Sequence, residues 1–199
     1  MQLEHVSRPA RPFPPASPAS ESAACISPAL DQLCRELDAA FAAAETGSQA
    51  AFGQRVRLAL QRAIADPAVL RPDQRAGNPQ TYCRHLLAAD PLNRYAIAAL
   101  VWAPGQASPV HGHRTWCGYA VIEGTLEETL YRWDAVEHRA IETRRHPRPP
   151  GAVSYVGAGR GAIHQLGLCA DAAARAVSLH VYGVAGEQIA THVNDLLAA

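Results

Sequence analysis

The sequence has no surplus of either charge. Its 199 residues hold 18 lysines and arginines against 18 aspartates and glutamates, for a net charge of zero with histidine neutral. That balance argues against the extended basic face that nucleic acid or anionic lipid demands, so neither is expected as a partner. No apolar run approaches the ~18 residues that cross a membrane. The first 13 residues, with Glu4, His5, Arg8 and Arg11, lack the apolar stretch of a secretory leader. Five cysteines are an odd number and include no Cys-x-x-Cys pair, which removes a disulfide framework and a zinc knuckle. A reducing, cytoplasmic setting is the expectation. Aromatics are scarce at 6%, but 48% of the chain is apolar, enough for one compact domain and short for two.

What is present divides into three parts. Residues 8–22 carry five prolines among alanine and serine, a composition that buries little and breaks any helical ladder. Residues 1–26 are therefore expected to be a loose tail, and 27–199 the folded domain. Ser27-Pro28 is an N-cap followed by proline at the first helical position, and Leu30, Leu33, Cys34, Leu37 and Phe41 continue at helical spacing. After Gly47-Ser48, the apolar residues Phe52, Val56, Leu60 and Ile64 predict a second helix that Asp66-Pro67 ends. From residue 94 the period falls to two. Strands are expected from there and over 118–122, 126–133, 140–143, 152–156, 162–168 and 176–182. Short strands at this spacing predict a mainly β sandwich or barrel, over about 80–183, behind helices within 28–66. Ile189, Val193, Leu196 and Leu197 share a helical face, so a C-terminal helix is expected.

The chemistry concentrates between Gly105 and Gly124. Gly105 is followed after five residues by His111-Gly112-His113, after three more by Cys117, and after six more by Gly124. On a strand, alternation sends His111 and His113 to one face, where two imidazoles can reach one metal ion. A chance surface pair is the competing reading of two isolated histidines. A second constellation is Ser178-Leu179-His180-Val181-Tyr182, whose alternation puts a hydroxyl, an imidazole and a phenol on one face.

The glycine-framed His-x-His resembles the first motif of the cupin superfamily of small β-barrels, with Cys117 where that motif has a metal-ligating glutamate. His164, in Gly161-Ala162-Ile163-His164, resembles the histidine of the second motif, without its flanking proline and asparagine. The resemblance implies a mainly β cupin barrel with His111, His113 and His164 as metal ligands. Three neutral imidazoles leave a divalent ion's charge uncompensated and three octahedral positions open, which suits an anionic thiolate and a borderline-soft ion such as Fe(II).

Ser178-x-His180-x-Tyr182 resembles the signature strand of the cysteine dioxygenases, iron thiol dioxygenases within the cupins. The likeness spans residues 82–183 and includes Ala99-Leu100-Val101-Trp102 and Glu127-Glu128-Thr129-Leu130-Tyr131. It implies an Fe(II) enzyme that adds both atoms of O2 to a small thiol in cysteine catabolism, with Tyr182, His180 and Ser178 in the catalytic relay. Tyr82-Cys83-Arg84 falls where that family holds the substrate carboxylate; arginine there points to L-cysteine, with Tyr82 assisting. A 3-mercaptopropionate dioxygenase and a non-catalytic small-molecule-binding cupin are the competing expectations. Cys117 falls where some members join a cysteine to the active-site tyrosine through a thioether; an unreactive packing role is the alternative. His138 and His146 are expected to be solvated, and Cys25, Cys34 and Cys169 to pack. Trp116 either walls the substrate pocket or packs. The sequence carries no signal for oligomeric state.

Overall fold

The structure, a computed structural model, describes residues 26–199. All of the expected tail except Ile26 lies outside them, as do His5 and Cys25. Helix α1 (Pro28–Ala44) begins where Ser27 accepts a hydrogen bond from the Leu30 amide at 3.2 Å, with Pro28 at its first position. Helix α2 (Gln49–Ile64) opens the same way, on Ser48 and the Ala51 amide.

Ten strands follow: β1 (Cys83–Ala89), β2 (Ala96–Trp102), β3 (His111–His113), β4 (Cys117–Glu123), β5 (Leu126–Asp134), β6 (Arg139–Arg148), β7 (Val153–Val156), β8 (Gly159–Gly167), β9 (Ala176–Tyr182) and β10 (Asn194–Leu196). They form two five-stranded antiparallel sheets, ordered β1-β2-β9-β4-β7 and β10-β3-β8-β5-β6. The fold is the mainly β cupin arrangement with N-terminal helices.

One core lies between the helices and the first sheet, where Leu33, Leu37, Val56 and Leu60 meet Ile97, Ala99, Leu179 and Val181. A second lies between the two sheets, where Leu100, Trp102 and Tyr119 meet Leu126, Leu166 and Ile189. Each fully buried Leu or Ile contributes roughly 1.5–3 kcal/mol. Because β2 and β9 separate these cores, every residue of both strands is buried, and their alternate positions face different interiors.

Besides β6, which runs longer than the expected 140–143, two elements differ from the sequence reading. No helix forms over 187–197; instead a 3-10 turn (Gly186–Gln188) leads to β10. The helical spacing of Ile189 and Val193 is overridden by the open edge of β3, whose backbone gains a partner when Asn194 pairs with His113 and Leu196 with His111. Strand β1 was not anticipated, because a bulge between Leu86 and Ala88 interrupts the alternation. The folded barrel therefore runs past residue 183.

Candidate metal centre

His111 and His113 sit on the short strand β3, and His164 sits on β8 directly opposite His111 in register. Gly105 (φ 82°) and Gly124 (φ 69°), which bracket the motif, adopt left-handed backbone that side chains disfavour. Gly112 carries no side chain between the two imidazoles; a Cβ there would sit 3.1 Å from the Gly159 carbonyl oxygen. The three rings converge, with centroids 4.6–5.1 Å apart, and one nitrogen from each lies within 4.8 Å of the others. All three residues are buried.

The donor set fits a metal. The Nδ1–H of His111 donates to the Pro109 carbonyl at 2.8 Å, and that of His164 to the Glu128 carboxylate at 2.7 Å. Both bonds engage Nδ1 and leave Nε2 as the nitrogen placed to coordinate. Burial first, then the neighbouring imidazoles, holds His111 well below the usual histidine range. The same causes push His113 down to about 3. Neutral imidazoles are what coordination requires. No carboxylate is among the converging groups, and Cys117 occupies the neighbouring wall.

Glu128 is the functional residue that sequence reasoning missed. It lies on β5 behind His164, buried, with its second oxygen 3.2 Å from His146 Nε2 and 3.6 Å from Arg148 Nε. Burial raises its carboxyl, but the bond from His164 and the nearby Arg148 outweigh this and leave it below the usual carboxylate range. Its signal was available only as the polar member of an inward-facing set on β5, Leu126-x-Glu128. His146 is correspondingly not solvated; it is drawn in against Glu128, whereas His138 is exposed in a turn.

The first sheet supplies the opposite wall. His180 and Tyr182 project from β9 into the same cavity, and Ser178, on the same side of the strand, is fully buried beside His180. Ser178 Oγ is 2.9 Å from His180 Nε2, and Tyr182 Oη is 3.1 Å from His180 Nδ1. Burial, followed by the Arg84 charge, holds His180 far below its ordinary range and therefore neutral. Burial pushes the Tyr182 phenol well up, partly opposed by Arg84. Cys117 on β4 pairs in register with Tyr182, and burial raises its thiol.

Arg84 on β1 is buried, with Nη1 donating to the Ile189 carbonyl at 2.8 Å and the guanidinium carbon 5.6 Å from the Tyr182 ring centroid. Tyr82 stacks on Trp102 with centroids 4.6 Å apart. The three histidines, His180, Tyr182, Arg84, Tyr82 and Cys117 thus line one cavity. Leu100 and Leu166 add apolar wall, and Asn194 from β10 adds an amide. Trp116 takes no part; it packs against Phe52 at 5.2 Å and Tyr155 at 6.0 Å beneath the helices. Among the described residues, Cys34, Cys83, Cys117 and Cys169 are all free, and Cys169 is exposed rather than packed. Among the described residues no helix is long and apolar enough to cross a membrane.

Residues 76–193 match the protein family described as Cysteine dioxygenase type I. Similar solved structures include an uncharacterized conserved protein with a double-stranded β-helix domain from Klebsiella pneumoniae, 14% identical over 68% of this chain and 95% of that one, TM-score 0.46. An RmlC-like cupin family protein from Methanocaldococcus jannaschii is 14% identical over 56% and 88%, TM-score 0.40. The polyketide cyclase RemF from Streptomyces resistomycificus is 16% identical over 63% and 78%, TM-score 0.41.

Proposed function

We propose a thiol dioxygenase acting on L-cysteine, because the chain belongs to the cysteine dioxygenase type I family. The observation that carries the reading is the meeting, in one cavity, of three convergent imidazoles with a buried guanidinium and the Tyr182 phenol. Iron(II), held by His111, His113 and His164, would supply open coordination positions and the redox capacity to combine sulfur with O2. The net reaction is RSH + O2 → RSO2H, in which sulfur provides all four electrons and no external reductant is consumed. A reducing, cytoplasmic setting agrees with the free cysteines.

The chain's own residues bind and orient. Arg84 receives the substrate carboxylate in a charge-assisted pair worth on the order of 1.5–3 kcal/mol per hydrogen bond. Its bond to the Ile189 carbonyl holds the guanidinium in place for that contact. Tyr82, braced by Trp102, closes one side of the carboxylate end. The Tyr182 hydroxyl donates a hydrogen bond toward the oxygen being transferred, and neutral His180 with Ser178 fixes the phenol. Leu100 and Leu166 exclude water, which strengthens each of these contacts.

The test is anaerobic Fe(II) loading followed by oxygen uptake over a panel of small thiols. One O2 consumed per cysteine, with both atoms of labelled oxygen in the sulfinate, is the expected result. Stoichiometric iron with no uptake on any thiol would leave a non-catalytic binding cupin. A 3-mercaptopropionate enzyme is distinguished by Arg84→Gln: the cysteine reading requires kcat/KM for cysteine to fall about 10- to 100-fold.

A further inference from the structure

Ser178, His180 and Tyr182 can each donate or accept, so their distances alone leave open which way the protons run. The two ends of the row decide it. At one end the Trp102 indole N–H, which can only donate, gives its hydrogen to Ser178 Oγ at 3.0 Å. At the other, the Tyr182 phenol faces the cavity, with the Arg84 guanidinium carbon 5.6 Å from its ring centroid. Three ambivalent groups therefore stand between an obligate donor and the cavity, and a neutral His180 holds a single ring proton.

Two arrangements satisfy the distances. In the first, Ser178 donates to His180 Nε2, His180 Nδ1–H donates to Tyr182, and the phenolic hydrogen is left to point into the cavity. In the second, Tyr182 donates to His180 Nδ1, Nε2–H donates to Ser178, and the serine hydrogen must find another acceptor. Ser178 has none. It is fully buried, with Leu100 and Val121 opposite it on the flanking strands, and its hydroxyl bonds only Trp102 and His180. An orphaned hydroxyl in that apolar setting is penalised, whereas the cavity offers the phenol water or substrate.

We propose that Trp102 is a positioning residue that sets the polarity of the row, so that His180 carries its proton on Nδ1 and the Tyr182 hydroxyl presents its hydrogen to the bound substrate. This rests on the reading of Tyr182 as the group facing the substrate, but it is measured without turnover. In the metal-free, 15N-histidine-labelled full chain, long-range 1H–15N correlation spectra assign the His180 tautomer, with His180→Gln identifying its signals. The expected result is Nδ1–H favoured by about tenfold or more. Trp102→Phe keeps a ring against Tyr82 but removes the donor. It should move the ratio several-fold toward Nε2–H and, in the iron-loaded enzyme, lower kcat more than it changes KM for the thiol.

An Nε2–H tautomer in the unsubstituted protein overturns the proposal, as does a ratio that Trp102→Phe leaves unmoved. Should Trp102→Phe not fold, the tautomer of the unsubstituted protein still decides. Oxygen uptake that fails alongside an Nδ1–H tautomer would remove the dioxygenase reading and leave the polarity intact.

Discussion

Replacing Glu128 by glutamine tests whether the histidines are held as ligands or merely packed. The substitution preserves volume in a side chain only 7% exposed and keeps an oxygen able to accept from His164. It removes the negative charge that strengthens the 2.7 Å bond and fixes His164 with Nε2 free. It also lets the amide donate to His146, 3.2 Å away, and strips Arg148 of its nearest counter-charge. Loss of such an outer partner costs about 10- to 100-fold in metal affinity, or about 1.4–2.7 kcal/mol. Anaerobic Fe(II) titration against a chromophoric chelator reads the effect directly. Glu127→Gln is the internal control, since Glu127 is half-exposed beside Arg145 and should shift affinity less than about twofold. Equal Fe(II) affinity in the two variants would refute the argument that Glu128 orients a ligand, and thermal melts of the metal-free proteins separate this from loss of fold.

Three further outcomes are expected. Iron-loaded protein turned over with cysteine should contain a Cys117–Tyr182 thioether, since the two residues face each other in register. The thiol S–H and a ring C–H are lost as the S–C bond forms, and their two protons and two electrons reduce O2 to hydrogen peroxide, so denaturing mass spectrometry should find the linked peptides lighter by two hydrogens; unlinked peptides throughout would leave Cys117 as a packing residue. Metal-free protein should lose stability as pH falls below about 6.5. The buried His180 has a lowered folded-state pKa, so the unfolded chain binds the extra proton and the contribution, complete at neutral pH, is lost on acidification. His180→Gln should flatten the pH dependence of unfolding by up to about 1.4 kcal/mol per pH unit; an unchanged slope contradicts this. Gly118→Ala should destabilise by about 1–3 kcal/mol in denaturant titrations, because its Cβ would lie 2.8 Å from Val56 and 3.0 Å from Leu60. Gly161→Ala, with nothing within 4 Å, should be close to neutral.

The parts of the site that could be read from sequence are those in which spacing itself encodes geometry. His111-Gly112-His113 and Ser178-x-His180-x-Tyr182 were legible because alternation on a strand dictates a shared face, and His164 because it lies within an apolar strand in a familiar order. Glu128, Trp102 and the Ile189 carbonyl act on partners far apart in the chain, so spacing alone does not mark them. Helix α1 was legible through its Ser27-Pro28 cap. Strand β10 was not, because the choice between helix and strand at Ile189 and Val193 was made by the unpaired edge of β3 rather than by the segment itself. Strand β6 was read too short, since arginines and Pro147 mask an edge strand that continues to Arg148.

Strand β9 has one set of residues on the cavity side and the other beneath the helices. Leu179 and Val181 lie outside the cavity, yet they are rigidly coupled through the backbone to His180 and Tyr182, which line it. A saturation library scored for turnover would therefore flag positions in the helical layer, such as Leu60 and Val56, as if they were part of the reaction. The helices serve as a backing plate, and their tolerance to change is limited by the tenths of an ångström that the far side of the sheet can absorb.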